Sequence, residues 1–152
     1  MTMSQAPQTT GAPVRPRRWT EEVDGIRWIP RMCDKARMSH NGTLGAYLMG
    51  HSPVDKALLK RLGLTTDEFV AIVLENPSDE AVLAALRARG FDEASVRSWS
   101  AEFQTRYASF IPLWDLDEGY REPKPFERPL VAFAKIVEGP IMGMFRKISP
   151  AP

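Results

Sequence analysis

The sequence has a single cysteine, Cys33, which excludes an internal disulfide, and only two histidines, His40 and His51, so soft metal ligands are scarce. Charge of one sign is also missing. Twenty basic residues stand against nineteen acidic ones, a formal net charge of +1, and no global field draws the molecule to nucleic acid or an anionic surface. No apolar run reaches the roughly eighteen residues of a membrane span, and no apolar signal core follows Met1. A glycine-rich phosphate loop, a paired HExxH set and a nucleophile elbow are all absent from the sequence. The reading is a soluble cytoplasmic protein with no cofactor and no metal expected.

What is present is enough apolar material, 43% of 152 residues, for one domain with a real core. Residues 1–18 are too polar and proline-rich to bury a face, and are expected to be a disordered tail with three arginines near its end. Residues 19–121 carry helical spacing and form the domain. Residues 122–152 read as a proline-rich linker, from Glu122 to Pro129, followed by an apolar C-terminal arm. The expected fold is all-α, a compact bundle of six to seven short helices.

The most informative stretch runs from Pro30 to Gly45. Proline suits a first helical turn, and Asn41-Gly42 suits a left-handed stop, so one helix of about three turns is predicted between them. Advancing 100° per residue puts Met32, Cys33, Ala36 and His40 on a packing side, and Arg31, Asp34, Lys35 and Met38 on the other. Arg31, Asp34, Lys35 and Arg37 are therefore candidates for an anion site, with Asp34 orienting the cations. The competing view is a solvated face with intrahelical ion pairs, each worth a few tenths of a kcal/mol. Cys33 falls on the packing side and is expected to be buried filler.

Around this helix, Trp19–Ile29 predicts a helical turn off Thr20 and then an extended lead, and Thr43 caps a short helix through Leu48. Ser52-Pro53-Val54-Asp55, Thr65-Thr66-Asp67-Glu68 and Ser78-Asp79-Glu80 each open a helix with a capping hydroxyl and acids in the first turn. Residues 58–69 have the cadence of a DNA-binding helix-turn-helix, but Asp67 and Glu68 at the leading turn repel phosphate. From Asp92 or Ser95 a longer helix places Val96, Trp99, Phe103, Tyr107 and Phe110 on one stripe, the aromatic wall of the core, and ends at Pro112. Asp115, Asp117 and Glu118, beyond it, could hold a metal or answer the basic helix. In the arm, Leu130, Phe133, Val137, Ile141, Met144 and Phe145 are candidate interface residues. The arm has three destinations, in this order: its own domain, a second copy, or a membrane surface.

Several blocks stand in a specific order: Gly25-Ile26-Arg27-Trp28-Ile29-Pro30-Arg31-Met32, Asp34-Lys35-Ala36-Arg37, Gly42-Thr43-Leu44-Gly45, Pro53-Val54-Asp55, Asp79-Glu80-Ala81-Val82-Leu83 and Trp114-Asp115-Leu116-Asp117-Glu118-Gly119. With them the chain resembles, over about residues 15–121, a bacterial family of domains of unknown function, the one numbered five thousand and sixty-nine. The resemblance implies a compact, mostly helical bacterial domain without an established activity. His51 departs from it, standing where the family is associated with cysteine, and residues 122–152 lie beyond it.

The leading expectation of function is a non-catalytic binding or assembly module that associates with a second copy or a partner protein through residues 130–145. The alternative is a small enzyme or a receptor for an anionic small molecule, built on Arg31, Asp34, Lys35 and Arg37 with Asp115 and Asp117 opposite.

Overall fold

The computed structural model describes residues 15–130 and 132. Its element order is β1 (Glu22–Val23), β2 (Ile26–Arg27), α1 (Ile29–His40), α2 (Pro53–Leu62), α3 (Thr66–Glu75), α4 (Asp79–Arg89), α5 (Glu93–Ala101), α6 (Phe103–Arg106) and α7 (Ile111–Asp117). The fold is mostly helical, as expected, with one addition. β1 and β2 form an antiparallel hairpin pairing Glu22 with Arg27 and Val23 with Ile26, where a helical turn is expected from the sequence. The reason is Asp24-Gly25, whose φ values of 47° and 75° are both left-handed, as a two-residue hairpin turn requires. Arg97 donates to the Asp24 carbonyl at 2.8 Å, and the Arg27 N–H donates to Ser100 Oγ at 2.8 Å, which fixes the hairpin to α5.

α1 is the axis of the molecule. It starts at Pro30 in its first turn and stops at Asn41, ahead of Gly42 at φ 71°. It packs on α3, α4 and β1, and the buried set includes both sides of its wheel, Met32, Cys33 and Ala36 together with Arg31, Asp34 and Lys35. The residue immediately before it is Trp28, an aromatic residue at φ 73°, a conformation that costs on the order of 1–3 kcal/mol and survives only where surroundings over-determine it.

The three helices that follow begin as their sequences direct. Ser52 Oγ accepts from the Asp55 N–H at 3.1 Å, Thr65 and Glu68 close a reciprocal capping box, and Ser78 Oγ accepts from the Ala81 N–H at 3.1 Å. Residues 44–48, by contrast, form turns and not a helix.

The aromatic stripe is core, but not one helix. The chain breaks at Glu102 and again after Tyr107, and Pro112, expected to end a helix, sits in the first turn of α7. Val96, Trp99, Phe103 and Tyr107 keep their common side because each break leaves their spacing near four residues. Phe103 is the hub, with ring centroids 4.7 Å from Tyr107, 5.3 Å from Trp99, 5.4 Å from Trp28 and 5.8 Å from Trp19. Phe110, the last of the stripe, is exposed.

The boundary at residue 18 also moves. Arg15–Arg18, expected to belong to the tail, are packed: Pro16 is buried and all three arginines hydrogen-bond to the domain. The predicted tail residues 1–14, and the predicted arm helix beyond Leu130, lie outside the described residues apart from Ala132. Among the described residues no helix is long and apolar enough to cross a membrane.

Candidate functional site

The charged side of α1 is not open to anions. Lys35 is 3% exposed, and its ammonium donates to Asp55 Oδ1 at 2.7 Å, Asp55 Oδ2 at 2.5 Å and the Leu48 carbonyl at 2.8 Å, which uses all three of its hydrogens. Asp55, fully buried, accepts in addition from Trp28 Nε1 at 2.8 Å and from the Gly50 N–H at 2.9 Å. Burial pulls the Lys35 ammonium below its ordinary pKa, and Asp55 opposes that pull. This pair ties α1, the 48–50 loop, α2 and the strained Trp28 into one node.

Arg17, from the segment read as tail, neutralises Asp34. Its Nε and Nη2 meet Asp34 at 2.8 and 3.0 Å, its backbone N–H donates there as well, and Nη1 and Nη2 reach Asp79 at 2.6 and 2.9 Å. Burial depresses the Arg17 guanidinium, but hydrogen bonds to Asp79 and Asp34 outweigh it and its pKa is raised. Arg37 donates to the Asn76 carbonyl at 3.3 Å, at the C-terminal end of α3 where a cation is favourable. Arg31 is held end-on by Glu118, Nη1 to Oε2 at 3.1 Å and Nη2 to Oε1, and Nη1 also donates to the Arg17 carbonyl at 2.9 Å. The four α1 candidates thus serve four internal contacts, and no shared anion cradle forms.

Asp115 and Asp117 part company. Asp115 accepts from Arg18 at 2.7 and 3.0 Å and from the Trp19 indole at 3.3 Å, and these bonds, Arg18 foremost, hold its carboxyl below the usual range. Asp117 is exposed, and among the described residues makes no hydrogen bond or ion pair. Leu130 is 65% exposed, while Phe133, Val137, Ile141, Met144 and Phe145 lie outside the described residues.

What α1 and α7 do enclose is a cavity of about 200 Å³, closed on its other sides by the 46–48 loop and the start of α2. Its walls are aromatic. Trp28, Tyr47, Tyr107, Phe110 and Trp114 supply the rings, with exposed Phe110 and Asp117 at the rim. Two of these rings are already occupied, since the Arg31 guanidinium lies 5.2 Å from the Trp28 centroid and 5.7 Å from that of Tyr47, and Lys35 lies 5.5 Å from Trp28. Burial raises the Tyr47 phenol, Glu118 raises it further, Arg31 opposes and Asp117 adds to the rise, so the ring stays a neutral phenol. A second, broader groove is lined by Ser39, Leu44, Met49 and His51.

Other candidate chemistry is not assembled. Cys33 is fully buried, and burial first, then Asp79, pushes its thiol well above the ordinary value, leaving no thiolate for attack. Among the described residues no three of His, Cys, Asp and Glu gather as a metal set would require.

The site residues missed in the sequence are Arg17, Asp55, Asp79 and the aromatic walls, whereas Glu118, one of the three acids expected to hold a metal or answer the basic helix, meets Arg31 of that helix. Asp55 and Asp79 carry a signal that points elsewhere, because an acid in a first turn reads as dipole complement. Arg17 sits among prolines and polar residues that read as tail, so its order had no sequence signal.

Fold and site together define a small, mostly helical domain whose interior is cross-linked by buried ion pairs around an aromatic-walled cavity. The chain belongs to the family described as Domain of unknown function (DUF5069), which it matches over residues 14–122. No curated protein and no solved structure matches the chain. The family boundary includes Arg15–Arg18, in keeping with the contacts those residues make.

Proposed function

We propose that this protein is a small-molecule-binding domain, and that its ligand enters the cavity between α1 and α7 and is held by aromatic contact. The observation that supports this reading is how the lining charges are spent: Lys35 on Asp55 and Leu48, Arg31 on Glu118. Groups committed to internal ion pairs are poorly placed to shuttle protons, so the surface offered to a ligand is chiefly ring face. An apolar cavity of about 150 Å³ accepts a benzene ring, so one of about 200 Å³ has room for one ring and a short side chain. The test is a screen of one-ring compounds by ligand-observed NMR against wild type and Trp114→Ala, with circular dichroism to check that the variant folds. Hits lost in a folded variant support the reading. Hits that bind both proteins equally count against it.

A second reading, assembly through the C-terminal region, is favoured by surface apolar residues: Phe110, Leu113, Phe126 and Leu130 are 52, 58, 70 and 65% exposed. Light scattering on the full chain and on a chain ending at residue 129 tests it. A dimer that becomes a monomer supports association, and a monomer in both rejects it.

A further inference from the structure

We propose that the cavity selects a cationic one-ring ligand, a protonated aralkylamine, over neutral and anionic counterparts, an inference that rests on the small-molecule reading above. The charges at the site decide the sign. Arg31 is cancelled by Glu118, both nearly buried, and Lys35 by Asp55, with each partner committed at hydrogen-bond distance. That leaves the Asp117 carboxylate at the rim as the lining charge without an ion-pair or hydrogen-bond partner among the described residues.

The placement of Asp117 is unfavourable on its own terms. It is the last residue of α7, at the end of a helix where carbonyl dipoles concentrate negative potential, answered in part by Arg15, which donates to the Glu118 carbonyl. A ligand cation would relieve what remains of that repulsion. The rings point the same way. Trp28 and Tyr47 already receive the internal cations Arg31 and Lys35, whereas no cation lies over Tyr107, Phe110 or Trp114 among the described residues, and an aromatic face attracts a cation as well as a ring. Phe110 and Trp114 are stacked at 6.0 Å and 18°, a preformed wall of the cavity that Asp117 also lines. An anionic ligand would share the cavity with Asp117 and compete for Arg31 with a carboxylate already in place.

The experiment uses three probes of similar size on the full chain: 2-phenylethylamine, 2-phenylethanol and phenylacetate. Each is titrated into wild type and Asp117→Asn while the tryptophan indole N–H signals are followed by NMR. The expected order is amine, then alcohol, then acid, with the amine about tenfold tighter than the alcohol in wild type and within about twofold in Asp117→Asn. Because Asp117 is exposed and unbonded among the described residues, the variant should fold as wild type does. Phenylacetate binding as tightly as the amine, or an amine preference that survives Asp117→Asn, overturns the charge assignment and leaves the cavity reading standing. If none of the three moves an indole signal, the cavity reading fails and the inference fails with it.

Discussion

α1 and α7 face each other across the cavity, carry similar chemistry, and use it differently. Arg31, Asp34 and Lys35 on α1 are all buried and all neutralised from elsewhere in the chain. α7 has no buried residue along its length, and of its acids Asp115 is tied to Arg18 while Asp117 is not tied at all among the described residues. A charged helical face is therefore not a single kind of object. On α1 it is scaffold that holds Trp28 in a strained conformation; on α7 it is a rim that a ligand can meet. The difference arises from partners distant in sequence, since Lys35 and Asp55 lie on separate helices and Arg31 and Glu118 lie at opposite ends of the domain.

The largest way to break that comparison is at the most buried pair. Asp55→Ala leaves Lys35 without its counter-ion at 3% exposure, and removing one partner of a buried pair costs about 3–5 kcal/mol. Urea denaturation should show a loss of that size. Replacing both members, Lys35→Met with Asp55→Leu, should restore the part due to the isolated charge, while the Trp28 indole and the Gly50 N–H stay without their acceptor. A loss under about 1 kcal/mol in the single variant would mean that α1 is not the rigid side.

A smaller effect is expected at Arg17. Its side chain is 37% exposed, so solvent replaces part of what Asp34 and Asp79 lose in Arg17→Ala, and about 2 kcal/mol is expected from bonds to charged groups. The same denaturation series measures it. A value near zero would return residues 15–18 to the status of a tail, and would sharpen the contrast by leaving Asp34 held by little.

Local signals were legible and long-range ones were not. The helix starts at Ser52, Thr65 and Ser78 and the stop at Asn41-Gly42 are written in a few adjacent residues, and the structure has them in place. The hairpin at Asp24-Gly25 was equally local, but two-residue strands offer too short an alternation to outweigh a capping threonine nearby. The breaks at Glu102 and Tyr107 carry no sequence signal, because the apolar stripe continues through them at helical spacing. The spacing puts Arg31, Asp34 and Lys35 on one face of α1, and the structure buries that face. Periodicity tells which side chains share a face; it does not tell whether a cation such as Arg17, from a segment without any helical pattern, will close over that face. The cavity itself was invisible, since Tyr47, Tyr107 and Trp114 converge only after folding.

The smallest expected effect tests α7 by pH. Arg18 chiefly, against partial burial, holds the Asp115 carboxyl below its ordinary value of 3.8. A carboxylate whose pKa is depressed on folding contributes stability that is present above the unfolded value and lost as pH falls through the folded one. The window for Asp115 therefore lies below about pH 3.8. With Arg18 34% exposed, the pair is partly screened and about 0.5 kcal/mol is expected. Urea denaturation of wild type and Asp115→Asn should show that gap at pH 6 and show it closing as pH drops below the window's upper edge. Other acids titrate in the same range, but they do so in both proteins and cancel in the difference. A gap that stays constant down to pH 2 would mean that Asp115 acts through the Trp19 indole and packing, not through charge, and α7 would then be fastened in a different manner from α1, which is held by ion pairs.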